Sequence, residues 1–163
     1  MKATQTAMTS SLNQEIATAR ALVDILQEEQ NSLLTASIGE LEPLVTQKAA
    51  LVAQLSQHTR DRNESLKKAG YEPTLAGMNA WLESSRNEPE TIRIEKDWGE
   101  LVLLTQSARE LNRLNGMLIS SHMARNQQAL SILHGNKPDT GIYGPDGQPN
   151  RAPATPLRSV VTS

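Results

Sequence analysis

The sequence contains no cysteine and no phenylalanine, and its 163 residues include only two tryptophans and two tyrosines. Without cysteine, disulfide bonds, thiolate catalysis and cysteine-based zinc sites are excluded. Strands are usually filled by aromatic and β-branched residues, so their scarcity argues against a sheet. Long helices that pack through leucine and alanine remain, and we expect an all-α protein.

A strong net charge and long apolar runs are also missing. The chain carries 16 Lys and Arg against 18 Asp and Glu, a net charge of -2, which provides no positive field for nucleic acid or an anionic membrane. No stretch approaches the roughly 18 uninterrupted apolar residues of a transmembrane helix, and the N-terminus has no apolar signal core. We therefore expect a cytoplasmic protein with no nucleic-acid partner and no stable membrane insertion.

Residues that support catalysis or metal binding are sparse. The three histidines, His58, His122 and His134, lack the spacing of metal ligands, and no glycine-rich phosphate loop is present. The sequence thus predicts no metal, no cofactor, no catalytic residue and no enzyme. A histidine phosphotransfer bundle carrying His58 is an alternative. Its histidine is usually followed by an apolar residue, a lysine and a small residue, whereas the polar segment 59–61 follows here.

Apolar residues recur at helical spacing through most of the chain. We expect a disordered N-terminus over residues 1–10 and then an amphipathic helix over residues 11–37. Ser11 and Gln14 have the spacing of a capping box and would open this helix. Acidic residues such as Glu15 and Glu29 are expected to lie mainly off its apolar stripe.

A second helix is expected to begin within residues 39–42 and to end at Gly70, because proline suits a first turn and glycine a helix end. Its apolar stripe includes Lys48, whose ammonium we expect to reach water. Its polar segment 60–64 is expected to be solvated. A short helix over residues 75–84 then covers one end of the bundle.

The longest proline-free segment runs from Glu90 to about His134. Its forty-five residues span roughly 67 Å, whereas each of the first two helices spans only about 40 Å. Roughly 25 Å of the long helix must therefore overhang, bend back or meet another molecule. The predicted fold is an antiparallel helical hairpin packed on one long C-terminal helix, with a short capping helix and a disordered C-terminal tail.

The tail is predicted from composition. Residues 135–163 hold five of the eight prolines and four of the nine glycines, with few large apolar groups. Such a segment buries too little surface to offset the entropy of ordering, so we expect it to be flexible. The predicted organisation is a helical bundle domain over residues 11–134, flanked by the disordered N-terminus and this tail.

Polar residues enter the apolar stripe in the second half of the long helix. Polar groups in such a seam restrict register and partner choice, and four of them follow at spacings of 3, 7 and 4: Asn112, Asn115, His122 and Asn126. Gly116 is costly in a helix interior and would let another chain approach closely. The alternative is that this part of the helix simply faces water.

Two segments of the chain form a specific combination: Asn-Gly-x-x-Ile at 115–119 and, well after it, Tyr-Gly-Pro-Asp-Gly at 143–147. Leucine-rich segments at 26–34 and 41–51 accompany them. Over nearly the whole chain, this pattern resembles the FlgN family of flagellar type III export chaperones. The tail beyond Asn150 is longer than the family pattern, and nothing is carried over to it.

The resemblance implies a chaperone that binds the C-terminal, coiled-coil-forming segments of flagellar hook-associated (hook–filament junction) proteins. It would keep these subunits unassembled and deliver them to the export gate or to components of its ATPase complex. Residues matching the family motifs are Asn115, Gly116, Leu118, Ile119, Tyr143 and Gly144. Together with His122, Met123, Asn126 and Leu133 they form the predicted partner-binding set.

A second interpretation is a structural protein that self-associates as a coiled coil through the long helix. A chaperone with the same apolar surface could also form a homodimer. Tyr143, the only aromatic residue of the tail, is the expected anchor for a client because aromatic side chains often dominate interface energetics. Its alternative role is that of a turn residue with no partner.

Overall fold

The computed structural model describes residues 2–135 of the chain. Within that range the structure is entirely helical, with no strand, and its elements are α1 (Lys2–Leu34), a short 3-10 helix (Ile38–Glu40), α2 (Leu41–Lys68), α3 (Leu75–Ser84) and α4 (Pro89–Leu133). The predicted all-α fold is confirmed. The chain divides into two compact units, Met1–Met123 and Ala124–Ser163.

In the first unit, α1 and α2 form an antiparallel hairpin and α4 runs parallel to α1. The direction of α2 follows from its bonds to α1, since Arg62 binds Glu15 near the start of α1 and Lys48 binds Glu29 near its end. The direction of α4 follows in the same way, because Glu88, Glu100 and Asn115 meet successive positions of α1. Helix α1 therefore contacts both α2 and α4 along its length.

The main core lies at the end of the bundle where α1 and α4 begin. Its buried side chains come from all four α-helices: Met8, Leu12, Ile16, Ala19, Leu66, Met78, Trp81, Leu82, Ile94 and Leu101. A smaller cluster of Leu22, Leu26 and Ala108 continues it along α1. Leucine and alanine at helical spacing supply most of this apolar surface, as the composition predicts.

Helix α3 closes that end of the bundle, as predicted. It spans the predicted residues, and the Thr74 hydroxyl caps it by accepting a hydrogen bond from the backbone N–H of Gly77 (3.0 Å). Gly77 must lack a side chain, because a Cβ there would lie 2.0 Å from the backbone oxygen of Glu72. Helix α2 ends just before Gly70, whose φ of 86° is the left-handed conformation expected of a terminating glycine.

The N-terminus differs from the prediction. Residues 1–10 were expected to be disordered, but α1 begins at Lys2 and the side chain of Met8 is fully buried. Ser11 therefore lies inside α1 and opens no helix; its hydroxyl donates to the backbone oxygen of His58 on α2 (3.5 Å). Met8 packs in the core, and this tertiary contact outweighs the weak helix preference of the polar residues around it.

Buried charges are the second departure from the prediction. Glu15 and Glu29 were expected mainly off the apolar stripe of α1, yet both are buried. Arg62, in the segment predicted to be solvated, is buried as well. Lys48 pairs with Glu29 and does not simply reach water. Each carboxylate meets a cation across the hairpin, and this pairing is what makes burial of the charges tolerable.

The second unit is described over residues 124–135. These residues complete α4, which ends at Leu133, and add a turn in which Gly135 has a φ of 61°. Every one of them is exposed, including Leu130, Ile132 and Leu133. The predicted flexible tail lies, from residue 136 onward, outside the described residues.

Candidate partner-binding site

An apolar groove runs along the first unit between α1, α2 and α4. It has a volume of about 440 Å³. The described residues that line it are mostly aliphatic and include no Asp or Glu: Ala19, Leu22, Leu26, Val45, Lys48, Ala49, Val52, Leu55, Thr105, Ala108, Arg109 and Asn112. The groove is thus a concave, largely apolar surface of the kind that receives an amphipathic helix.

The groove is open because small residues face it from three helices. Ala19 on α1, Ala49 on α2 and Ala108 on α4 do not reach across to the opposite wall. On the α2 side, Val45 and Val52 remain 49% and 47% exposed. Their neighbours Leu44 and Leu51 face the interior more fully, so α2 carries an apolar face wider than the hairpin covers.

Glu15, Arg62 and Trp98 meet beyond one end of the groove. The Arg62 Nε donates to Glu15 Oε2 (2.8 Å), and the Thr59 hydroxyl donates to Glu15 Oε1 (2.7 Å). The Arg62 guanidinium also lies over the ring of Trp98, 4.8 Å from its centroid. This cation–π contact joins α2 directly to α4. Glu15, Arg62 and Trp98 are called the upper triad below.

The other end is marked by Glu29, Lys48 and Asn115, called the lower triad. The Lys48 ammonium donates to Glu29 Oε1 (2.6 Å). The Asn115 Nδ2 donates to Glu29 Oε2 (2.8 Å) and to the backbone oxygen of Leu26 (2.9 Å). Both oxygens of the buried carboxylate are therefore occupied, and α4 is held against α1 at this point.

The two triads draw on the same three helices, and they are separated by the same number of residues on α1 and on α2. Each has a buried glutamate on α1, a cation on α2 and a residue of α4. Glu15 and Glu29 are 14 residues apart, as are Lys48 and Arg62. At about 1.5 Å per residue, the triads are separated by roughly 21 Å along the hairpin, which is close to four helical turns.

The side of α4 that lines the groove continues past the groove as a row of mostly exposed residues. Residues at alternating steps of four and three share one side of a helix. That spacing links the groove residues Thr105, Arg109 and Asn112 to Gly116, Ile119 and Met123. Ile119 is 38% exposed and Met123 58%. We call these six residues the α4 row.

Arg109 is the free cation of the α4 row. Among the residues that the structure describes, it forms no hydrogen bond or ion pair. Arg113, one turn later, is committed instead to Glu110, with its Nη2 2.7 Å from Glu110 Oε1. The hydrogen bond from Arg113 lowers the pKa of the Glu110 carboxyl, and the pKa of Arg113 is raised in return. Arg109 is therefore available to a ligand and Arg113 is not.

The predicted partner-binding residues fall into separate groups. Asn115 is buried within the lower triad, and His122 places its Nε2 2.8 Å from the backbone oxygen of Leu33, so both hold α4 to α1. Leu118 is half-buried, whereas Gly116, Ile119 and Met123 are exposed in the α4 row. In the second unit, Asn126 and Leu133 are exposed. Tyr143 and Gly144 lie outside the described residues.

The sequence alone did not identify the exposed apolar face of α2 along the groove, or Arg109 as a cation unpaired among the described residues. In the second helix, Val45 and Val52 each follow a leucine. Two adjacent apolar residues repeated at a spacing of seven are a sign that the apolar face is wider than one packing partner requires. No comparable sequence signal distinguishes Arg109 from Arg113, because their different pairing arises only in the folded chain.

The part of the chain that the structure describes contains neither a membrane span nor a metal-binding cluster. Over residues 2–135, no helix has the length and apolar character needed to cross a membrane. In the same range, no group of three His, Cys, Asp or Glu side chains is placed to hold a metal ion.

Comparison with known proteins identifies the family. The family model described as FlgN protein matches residues 1–151. A flagella synthesis protein FlgN from Proteus mirabilis is 28% identical over 144 residues, covering 87% of this chain and 89% of its own. Another, from Escherichia coli (strain K12), is 30% identical over 145 residues, covering 88% and 90%.

A crystal structure of a flagella synthesis protein from Pseudomonas aeruginosa shares the fold. It matches with a TM-score of 0.61 and 24% identity, over 77% of this chain and 94% of its own. On these matches, the helical bundle described above belongs to the FlgN family of flagella synthesis proteins.

Proposed function

We propose that this protein is a flagellar export chaperone. It binds the C-terminal helical segments of hook-associated proteins, prevents their premature assembly and delivers them to the type III export gate or its ATPase complex. It acts in the cytoplasm as a binding protein and not as an enzyme. Membership of the FlgN family and the flagella synthesis names of the relatives support the flagellar role.

The observation that carries the proposal is the exposed apolar surface of α4. In the first unit, Ile119 and Met123 are 38% and 58% exposed. In the second unit, Leu130 and Leu133 are 54% and 80% exposed. A subunit that polymerises through helices must have its apolar faces covered before assembly. A helix that presents an apolar face of its own can cover them.

The individual residues take different roles in this proposal. Ile119 and Met123 contact the client, and Gly116 lets the client helix approach closely. Asn115 and His122 are positioning residues, because the Asn115 Nδ2 and the His122 Nε2 are engaged with α1.

The remaining members of the predicted set complete the client surface. Leu118, half-buried beside Ile119, contributes at the edge of the contact. Asn126 and Leu133 bind the client from the second unit, where both are exposed. Tyr143 and Gly144 are also proposed to contact the client, and the only ground for this is that they match the family motif.

The α4 surface is tested with the double substitution Ile119→Asp, Met123→Asp. Two carboxylates on a surface that packs against an apolar helix face should weaken binding of a purified hook-associated protein by more than tenfold, about 1.4 kcal/mol. Isothermal titration calorimetry measures the affinity. Leu103→Asp is the matched control, since Leu103 is an apolar residue of α4 that is 65% exposed and outside the α4 row. Equal affinity of the double variant and the control would place the binding face elsewhere.

The contribution of the tail is tested by truncation after Gly135. We expect the helicity and the melting temperature to stay nearly unchanged and the affinity for the hook-associated protein to fall. Circular dichroism and calorimetry on the same preparation separate the two effects. Unfolding of the truncated chain would mean that the tail belongs to the core.

Self-association through α4 is the second candidate function, because the same exposed apolar residues would suit a second copy. Light scattering combined with capture of a hook-associated protein distinguishes the two. A chaperone binds the client, whereas a purely structural coiled coil forms dimers and leaves the client unbound.

A further inference from the structure

We propose that the groove between α1, α2 and α4 seats one acidic amphipathic helix of the client, about two to three turns long. This inference rests on the proposed chaperone function and adds to it the place of the client helix and the charge that the chaperone selects. The client helix lies against α1, between α2 and α4, with an acidic side chain facing Arg109.

The apolar lining of the groove calls for an apolar face on the ligand. Val45 and Val52 are each about half exposed along the α2 side, and Leu22 and Leu26 form the floor. A helix with apolar residues at steps of three and four would cover these side chains in the way that a further helix of a bundle does. Burial of this aliphatic surface is the main source of affinity.

The charges around the groove select an acidic helix. Within residues 2–135, neither Asp nor Glu lines it, and the two cations that do are Lys48 and Arg109. Lys48 is taken by Glu29, whereas Arg109 has no partner among the described residues. A carboxylate on the client would pair with Arg109, and a lysine at the same place would be repelled.

The two triads hold the helices that form the groove. The upper triad joins α2 to α4 through the contact of Arg62 with Trp98, and the lower triad joins α1 to both neighbours through Glu29. Their cations are already paired with buried carboxylates, so the helices stay in place without the client. The groove itself extends over residues 19–26 of α1 and 45–55 of α2, roughly 10 to 15 Å, which accommodates about two to three turns.

The α4 row places the groove beside the surface assigned above. Arg109 and Asn112 in the groove lead at helical spacing to Gly116 and Ile119. A client helix that leaves the groove along α4 would therefore meet the exposed apolar residues next. One continuous client segment would use both surfaces of the first unit.

The first test blocks the groove with Ala49→Phe in the full-length protein. Ala49 is exposed and lines the groove, so the ring occupies the space of the client helix without displacing core residues. We expect the affinity for the C-terminal segment of a hook-associated protein to fall at least tenfold. Ala17→Phe, on an exposed part of α1 outside the groove, is the control and should change affinity less than twofold. Val52→Asp replaces Ala49→Phe if circular dichroism shows that the latter does not fold.

The second test reverses the charge at Arg109. The probes are two designed 18-residue leucine-based helices that differ only in carrying Glu or Lys beside the apolar stripe. The wild-type protein should prefer the Glu helix at least fivefold, and Arg109→Glu should invert this preference. Lys96→Glu is the control, because Lys96 is exposed on α4 outside the groove and the change in net charge is the same.

The outcomes separate this inference from the proposed function. If wild type, Ala49→Phe and Val52→Asp bind the client with equal affinity, the groove is not the site of the client helix. The chaperone proposal would still stand. Equal affinity of the wild-type protein for the Glu and Lys helices would overturn the claim that the groove selects an acidic helix. If the groove variants abolish only dimerisation, measured by sedimentation, the occupant is a second copy and the inference is wrong. Absence of any client binding to wild type would instead refute the chaperone proposal.

Discussion

Asn115 of α4 donates its side-chain amide to Glu29 of α1 across 2.8 Å, and the same nitrogen also reaches the backbone oxygen of Leu26. Glu29 in turn accepts from Lys48 of α2, so one buried carboxylate connects all three helices. The residue that the sequence marks as a partner contact therefore has a structural role. It fixes the position of the helix that displays the neighbouring exposed residues.

Asn115→Ala should destabilise the protein by about 2 kcal/mol, because a hydrogen bond to a buried charged group is stronger than one between neutral groups. Urea unfolding followed by circular dichroism measures this loss. Asn112→Ala, one turn earlier and exposed, should change the free energy of unfolding by less than about 0.5 kcal/mol. A similar small effect at Asn115 would show that this hydrogen bond does not hold α4 to α1.

Lys48→Met should cost about 2 kcal/mol. Removal of one partner of a fully buried pair costs about 3–5 kcal/mol, and the 23% exposure of the Lys48 side chain reduces that penalty. Lys67→Met on the exposed surface of α2 is the control. The double variant Glu29→Gln, Lys48→Met should recover part of the loss, because no unpaired charge is left buried. A double variant less stable than Lys48→Met by more than a further 1 kcal/mol would contradict this account.

Gly116→Ala and Gly99→Ala form a matched pair on α4. A Cβ at either position meets nothing within 4 Å, so each substitution should stabilise the helix by about 1 kcal/mol. Only Gly116→Ala should weaken client binding, since Gly116 lies in the α4 row where the client helix is proposed to approach. Thermal melting and calorimetry measure the two properties. Loss of affinity in both variants, or in neither, would remove the reason for assigning Gly116 to the interface.

The Glu110–Arg113 pair predicts a small pH effect. The hydrogen bond from Arg113 lowers the pKa of Glu110, so the pair stabilises the fold above the ordinary pKa of a glutamate. That contribution is lost as the pH falls through the lowered value. Arg113→Ala should raise the pKa of Glu110 towards its ordinary value in an NMR titration of the side-chain carboxyl carbon. Both side chains are exposed, so the melting temperature should hardly change. An unshifted titration would show that the pair does not form in solution.

The sequence alone determined the helical architecture of this protein. Apolar residues at steps of three and four predicted α1 to α4, and Gly70 located the end of α2. These features depend on near neighbours along the chain, which is why they can be derived without coordinates. The family pattern at residues 115–119 likewise pointed to the FlgN family.

Tertiary structure alone decided which polar residues are buried and which apolar ones are left uncovered. Glu15 and Glu29 look like surface residues until α2 supplies Arg62 and Lys48 opposite them. Met8 is buried only because the end of the bundle closes over it, and the groove exists only because small residues of three different helices face one another. Pairing and packing across helices depend on which residues meet in space, and a helical repeat in one segment carries no record of its partners.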